Sequence, residues 1–130
     1  MTSFFRGKPL STDIALLIIR VASGAMMLTH GIPKLLNFSQ RMHSFGDPYH
    51  IGSPASLALA VFAEVICSVL LIVGYFSRFS TIPLIITMAT VIFLVHWGDP
   101  FGKKELPLLY LASFLTIFFA GPGKYSIDEK

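Results

Sequence analysis

Long, mostly apolar runs, parted by short clusters of Gly, Pro, Asp and Lys, set the pattern of this chain. The runs fall at 13–36, 55–76, 79–97 and about 106–120, the last reaching back to about 103 if Phe101 and Gly102 begin it. A hydrocarbon layer about 30 Å thick takes roughly 20 helical residues, which the first three runs supply. Inside lipid every backbone N–H and C=O must be paired within the segment, so such runs predict helices. The expectation is all-α: a transmembrane four-helix bundle forming a single integral membrane domain over residues 1–130.

The segments between the runs carry turn chemistry. Residues 37–54 form the long connection, rich in Gly, Asp and Pro, and Asp99-Pro100 stops the third run. Gly121 and Pro122 stop the fourth. Arg6 and Lys8 before an apolar stretch imitate a signal peptide, but the stretch is long and contains Arg20, so a retained span is expected. An even number of spans puts Arg6, Lys8, Arg78, Lys124 and Lys130 on one side and Lys34, Arg41, Lys103 and Lys104 on the other. That excess of basic residues, with the amino terminus, favours both termini on the cytoplasmic side of a bacterial inner membrane.

Composition sharpens this. Apolar residues make up 54% and charged residues 13%, about half the roughly 25% of a soluble domain. Mean hydropathy is +0.72. The net charge of +3 is scattered, with no basic stripe, so nucleic acid is not an expected partner. The single cysteine, Cys67, excludes an internal disulfide, a CxxC pair and a zinc–thiolate cage, and is read as a small buried apolar residue.

Ionisable groups at membrane depth are costly and tend to be paired, inward-facing and functional. On the first run Arg20, Ser23, Gly24, Met27, Gly31 and Lys34 form one helical stripe, with His30 at its edge. Ala60, Glu64, Cys67 and Ser68 share a face of the second; Met88, Ile92, His96 and Asp99 share one of the third; Tyr110 and Ser113 stand one turn apart on the fourth. Arg20 and Glu64 are expected to neutralise each other as a structural ion pair. In "LTHGIPKLLNF", residues 28–38, Pro33 is expected to bend or break the helix, leaving His30 and Lys34 beside an exposed carbonyl. The plainer alternative is that Gly-x-Pro ends the span and Lys34 snorkels to the interface. His30, Lys34 and His96 are expected to converge on a polar pocket near the outer surface, with Glu64 deeper. His30 and His96 as haem ligands would need a stronger motif, and no metal site is expected.

"LTHGIPKL", "FAEVICSVLLIVGYFSRFS", "VHWGDPF" and "GPGKYSID", in this order and spacing, resemble the DoxX family of small bacterial membrane proteins. The resemblance runs from about Ile14 to Asp128, and the motif positions are His30, Gly31, Pro33, Lys34, Glu64, Gly74, Arg78, His96, Gly121, Pro122 and Gly123. It implies a four-helix transmembrane bundle and an association with membrane redox systems; the family takes its name from a membrane component linked to thiosulfate:quinone oxidoreductase. It carries no settled catalytic residues. A quinone would suit the expected pocket: His30, Lys34 and His96 as donors, Trp97, Phe62 and Tyr110 as aromatic walls. The expected function is a membrane subunit of a quinone-linked redox system, fed with electrons by a soluble redox protein or by subunits of a membrane complex. A non-catalytic scaffold that docks a soluble redox enzyme and a small-molecule or lipid transporter-like bundle are the alternatives. Contact with the lipid bilayer is common to all three, and a homo-oligomer is compatible with each.

Overall fold

Apolar segments that must satisfy their own backbone become helices, and the computed structural model, which describes residues 5–130, has long helices at all four runs. Helix α1 spans Thr12–Leu36, α2 Ser53–Val73, α3 Ser77–Val95 and α4 Glu105–Ala120. The first three, at 25, 21 and 19 residues, are long and apolar enough to cross a membrane. At 16 residues α4 is shorter, about 24 Å, and follows a 3₁₀ turn at Phe101–Lys103.

Local chemistry fixes the ends. The Ser11 hydroxyl accepts from the Ile14 N–H and starts α1. Asp47, in the long loop, accepts from the N–H groups of Ile51 and Gly52 at 3.0 and 2.9 Å and from the Ser56 hydroxyl, which fixes the start of α2. Gly74 closes α2 in the left-handed region, where a side chain would be strained. The expected break at Pro33 does not occur: α1 continues to Leu36, and the backbone and side-chain amides of Asn37 both donate to the Pro33 carbonyl at 3.0 Å. Pro33 lies within the last turn, so the bond it removes leaves little helix beyond it to destabilise.

Each helix packs antiparallel against its chain neighbour, and α4 returns to pack against α1, closing an up-down-up-down bundle. The N–H of Lys124 donates to Asp13 Oδ1, so the start of α1 and the segment after α4 lie at one end of the bundle. The core stacks Met27, Ala63, Cys67, Leu71, Leu84, Met88, Phe114 and Ile117 between the helices. Cys67 is a buried thiol within it, as expected. Large apolar side chains such as Ile18, Phe79, Phe93, Leu109 and Phe119 point outward, more than half exposed. Such a belt would aggregate in water but suits hydrocarbon.

Glycines set how closely α1 and α2 approach. A Cβ on Gly24 would lie 2.7 Å from Ile72, and one on Gly31 would lie 2.8 Å from the backbone carbon and oxygen of Glu64. The second contact coincides with an irregularity. Residues Phe62–Cys67 of α2 form a π-helical turn, and Val91–Val95 of α3 form another that ends in an N–H donation from His96 to Val91 O at 2.9 Å. Single π turns recur at functional sites, since they re-aim side chains out of the regular phase.

Candidate functional site

The Gly31 contact brings α1 against the π turn of α2, and the ion pair of the bundle interior forms there. Lys34 Nζ donates to both carboxylate oxygens of Glu64, at 2.7 and 2.9 Å. Glu64 is 3% exposed and Lys34 23%. This corrects the expected Arg20–Glu64 pair. Antiparallel packing matches each step down α1 with a step up α2, so Glu64 lies beside Gly31, and Arg20 is eleven residues away, roughly 16 Å along the axis.

Arg20 is nonetheless buried, and its guanidinium is spent on backbone carbonyls. It donates to Pro122 O at 2.6 Å, Tyr125 O at 2.7 Å and, more weakly, Ile72 O at 3.4 Å. The segment after α4 is thereby tied to the bundle. Asp128 completes the tie, accepting from the N–H groups of Phe76 and Ser77 at 2.9 and 2.8 Å and so capping α3. The motif residues Gly121, Pro122 and Gly123 therefore serve a tether at the end where α1 starts. Arg78 adds to it by donating to Phe118 O.

At the opposite end, a cavity of about 360 Å³ opens between α1, α3 and α4. Its wall brings together His30, Lys34, Glu64, His96 and Tyr110, five of the seven side chains expected to form the pocket. The His30 ring meets Tyr110 edge-on, with centroids 5.8 Å apart, and Tyr110 stacks on Phe114 behind it. Met27, Met88, Val91 and Leu106 supply apolar wall.

Trp97 lies outside. It is 64% exposed, packs against Phe93, and carries the Lys104 ammonium 5.4 Å from its ring centroid. That exposure suits the membrane interface, where indoles anchor well. Phe62, also expected in the wall, is half exposed on the outside of α2.

The structure adds Lys103 and Pro107 to the cavity wall. It also adds Asp99, whose Oδ2 accepts from His96 Nδ1 at 2.7 Å. The hydrogen bond from His96 holds the Asp99 carboxyl below the usual carboxylate range, against the opposing effect of burial and with help from the charges of Lys103 and Lys104. An ionised Asp99 keeps a proton on Nδ1 and leaves Nε2 as the ring nitrogen available to a ligand. Among the described residues, His30 and the Tyr110 hydroxyl have no hydrogen-bond partner, so the cavity offers unspent polar groups beside a fixed ion pair. No three His, Cys, Asp or Glu side chains cluster as metal ligands among the described residues.

Comparison with known proteins agrees with this architecture. The DoxX family model matches residues 15–97, which takes in α1, α2 and α3 to just beyond His96. An uncharacterized protein of Haemophilus influenzae is 34% identical over 122 residues, covering 88% of this chain and 89% of its own length. The Escherichia coli inner membrane protein YphA is 27% identical, covering 90% of each chain. A Bacillus subtilis protein bearing the name "Putative oxidoreductase CatD" is 28% identical, covering 91% of this chain and 87% of its own. No solved structure matches.

Proposed function

This chain belongs to the DoxX family, and from that premise we propose that it is the membrane subunit of a quinone-linked redox system, holding a quinone or similar small molecule in the cavity at the end of the bundle away from the start of α1. One observation carries the reading: the cavity sets the His30 ring, the Tyr110 hydroxyl, the free Nε2 of His96 and the Lys34–Glu64 pair against an apolar wall. Its volume of about 360 Å³ lies in the range of small-molecule sites, roughly 300–1,000 Å³. The name of the Bacillus relative is in keeping with redox chemistry.

Each residue has a distinct task. The Tyr110 hydroxyl and the His30 ring donate to ring carbonyls. Lys34 adds positive charge, and Glu64 fixes where that charge sits. His96 exchanges a proton at Nε2 while Asp99 positions its ring through Nδ1. A bound quinone would supply the redox step, accepting two electrons from a partner and two protons passed on one at a time by His96 as it reloads from water at the cavity mouth. The electrons come from a partner, a soluble redox protein or a neighbouring membrane subunit. With both chain ends cytoplasmic, as the basic-residue count favours, the cavity opens toward the outer face of the inner membrane.

The test is chemical. The protein is purified from membranes in mild detergent, extracted with organic solvent, and the extract assayed for quinone. The reading predicts a quinone-to-protein ratio well above that of an unrelated four-helix membrane protein handled identically. It also predicts that Tyr110→Phe lowers the ratio without lowering the yield of folded protein. Equal ratios for all three proteins would leave a docking scaffold as the better account.

A further inference from the structure

The Lys34–Glu64 pair has a second chamber behind it. Lys34, Glu64 and Val91 stand on the wall of the large cavity and also on that of a smaller one, about 160 Å³, beneath the loop between α1 and α2. Phe45, Pro48, Tyr49, Leu59 and Val95 make up half of the rest of its wall, and Ser56, Thr87 and Thr90 bring hydroxyls to it. The loop above it is fixed at two points: Asp47 is bound to the start of α2, and the Tyr49 hydroxyl is hydrogen-bonded to that of Thr90 on α3.

The two chambers differ in what they offer. Every hydroxyl on the wall of the small one is already committed. Ser56 donates to Asp47 at 2.8 Å, Thr87 to Pro83 O at 2.7 Å, Thr90 to Ile86 O at 2.8 Å, and Tyr49 is paired with Thr90. Its charged groups, Lys34 and Glu64, are paired with each other. What remains is mostly apolar surface, from Phe45, Pro48, Leu59, Ala60, Val91 and Val95. A chamber of about 160 Å³ has room for a group of roughly benzene's size. The large cavity, by contrast, still has donors to give.

We propose that the two chambers form one bipartite site for an amphipathic ligand. The polar ring occupies the large cavity, and a single short apolar branch of about five or six carbons passes Val91 into the chamber under the loop. The proposal rests on the reading of the large cavity as a quinone site and narrows its ligand class to rings with a short branched apolar substituent next to a carbonyl. The loop is then part of the binding site and acts as its roof.

The experiment titrates the purified full chain with three probes sharing one dimethoxy-methyl-benzoquinone ring, carrying no, one or two isoprenyl units. Adding the first unit should tighten binding about tenfold, and adding the second should change it less than about twofold, because the chamber is then full. An affinity that rises by the same factor with each unit is the signature of partitioning into detergent and overturns the proposal. Ala60→Leu, which fills the chamber, should abolish the gain from the first unit and leave the bare ring bound as before. A well-folded Ala60→Leu protein that keeps the whole gain also overturns it. Binding of the bare ring with no gain from either unit removes the second chamber and leaves the reading of the first intact. Binding of no probe at all removes both.

Discussion

Replacing Lys34 should harm the bundle more than replacing Glu64, although the two share one ion pair. Glu64 is 3% exposed and takes both of its hydrogen bonds from Lys34, whereas the Lys34 side chain is 23% exposed near the end of α1. Breaking a buried pair by removing one partner costs about 3–5 kcal/mol, most of it the penalty on the charge left behind. Lys34→Met strands the buried carboxylate and should fall within that range. Glu64→Gln leaves an ammonium that can swing toward the interface, so its cost should be about 1–2 kcal/mol lower. Removing both charges, Lys34→Met with Glu64→Gln, should recover most of the loss, giving a coupling of about 4–5 kcal/mol. The assay is reversible unfolding in mixed micelles, run as a double-mutant cycle. A parallel cycle with Arg20→Met and Glu64→Leu should be additive within about 0.5 kcal/mol, because Arg20 is bonded elsewhere. An additive Lys34–Glu64 cycle, or a coupled Arg20–Glu64 one, would refute the packing register of α1 on α2.

The same contacts make further predictions. Gly31→Ala would bring a Cβ within 2.8 Å of the Glu64 backbone and should cost about 1–3 kcal/mol in the same unfolding assay, while Gly46→Ala, with open space around it, should be near neutral. Arg20→Met removes the donors that hold Pro122 and Tyr125, each such charged bond being worth about 1.5–3 kcal/mol; trypsin should then cut at Lys124 while the helices remain resistant, and a tail as resistant as wild type would contradict the tether. Burial pushes the Asp128 carboxyl up, but the N–H groups of Ser77 and Phe76 and the charge of Arg20 outweigh it and hold the group below the usual range. Its stabilisation is therefore complete above the unfolded carboxylate value of about 3.9 and is lost as pH falls from there through the folded value. Tail resistance to an acid-active protease should drop over that window in the wild type, and Asp128→Asn should lack this component.

The parts of the fold that depend on local pattern could be read from the sequence. Apolar runs located the helices to within a few residues, and the stripe Arg20, Ser23, Gly24, Met27 and Gly31 is the buried face of α1. The pocket lining was legible for a related reason: polar groups that cannot face lipid must face one another, which gathers His30, Lys34, Glu64, His96 and Tyr110. What failed was the pairing among them. The α1–α2 connection is long, so nothing local fixes the register, and Glu64 was matched to the wrong cation. A cue existed in Gly31, the small residue that lets Glu64 come alongside and places Lys34 one turn further along α1. The π turns at Phe62–Cys67 and Val91–Val95 have no signature in residue type, and Trp97, next to inward-facing His96, lies outside the expected wall. The role of Asp99 was hidden by its place before Pro100, where a turn former is the ordinary reading.

The most direct test of the ligand site is an equilibrium titration of a short-chain benzoquinone against the chain in nanodiscs, with His30→Ala and Tyr110→Phe alongside. His30 and the Tyr110 hydroxyl have no hydrogen-bond partner among the described residues, so removing either should cost the bundle little beyond the edge-on contact that His30→Ala gives up. The account predicts saturable binding by the wild type and affinity lowered about tenfold or more in each variant, the loss expected for one hydrogen-bond donor in a desolvated site. Equal affinity across all three proteins, or uptake that rises linearly without saturating, would contradict it.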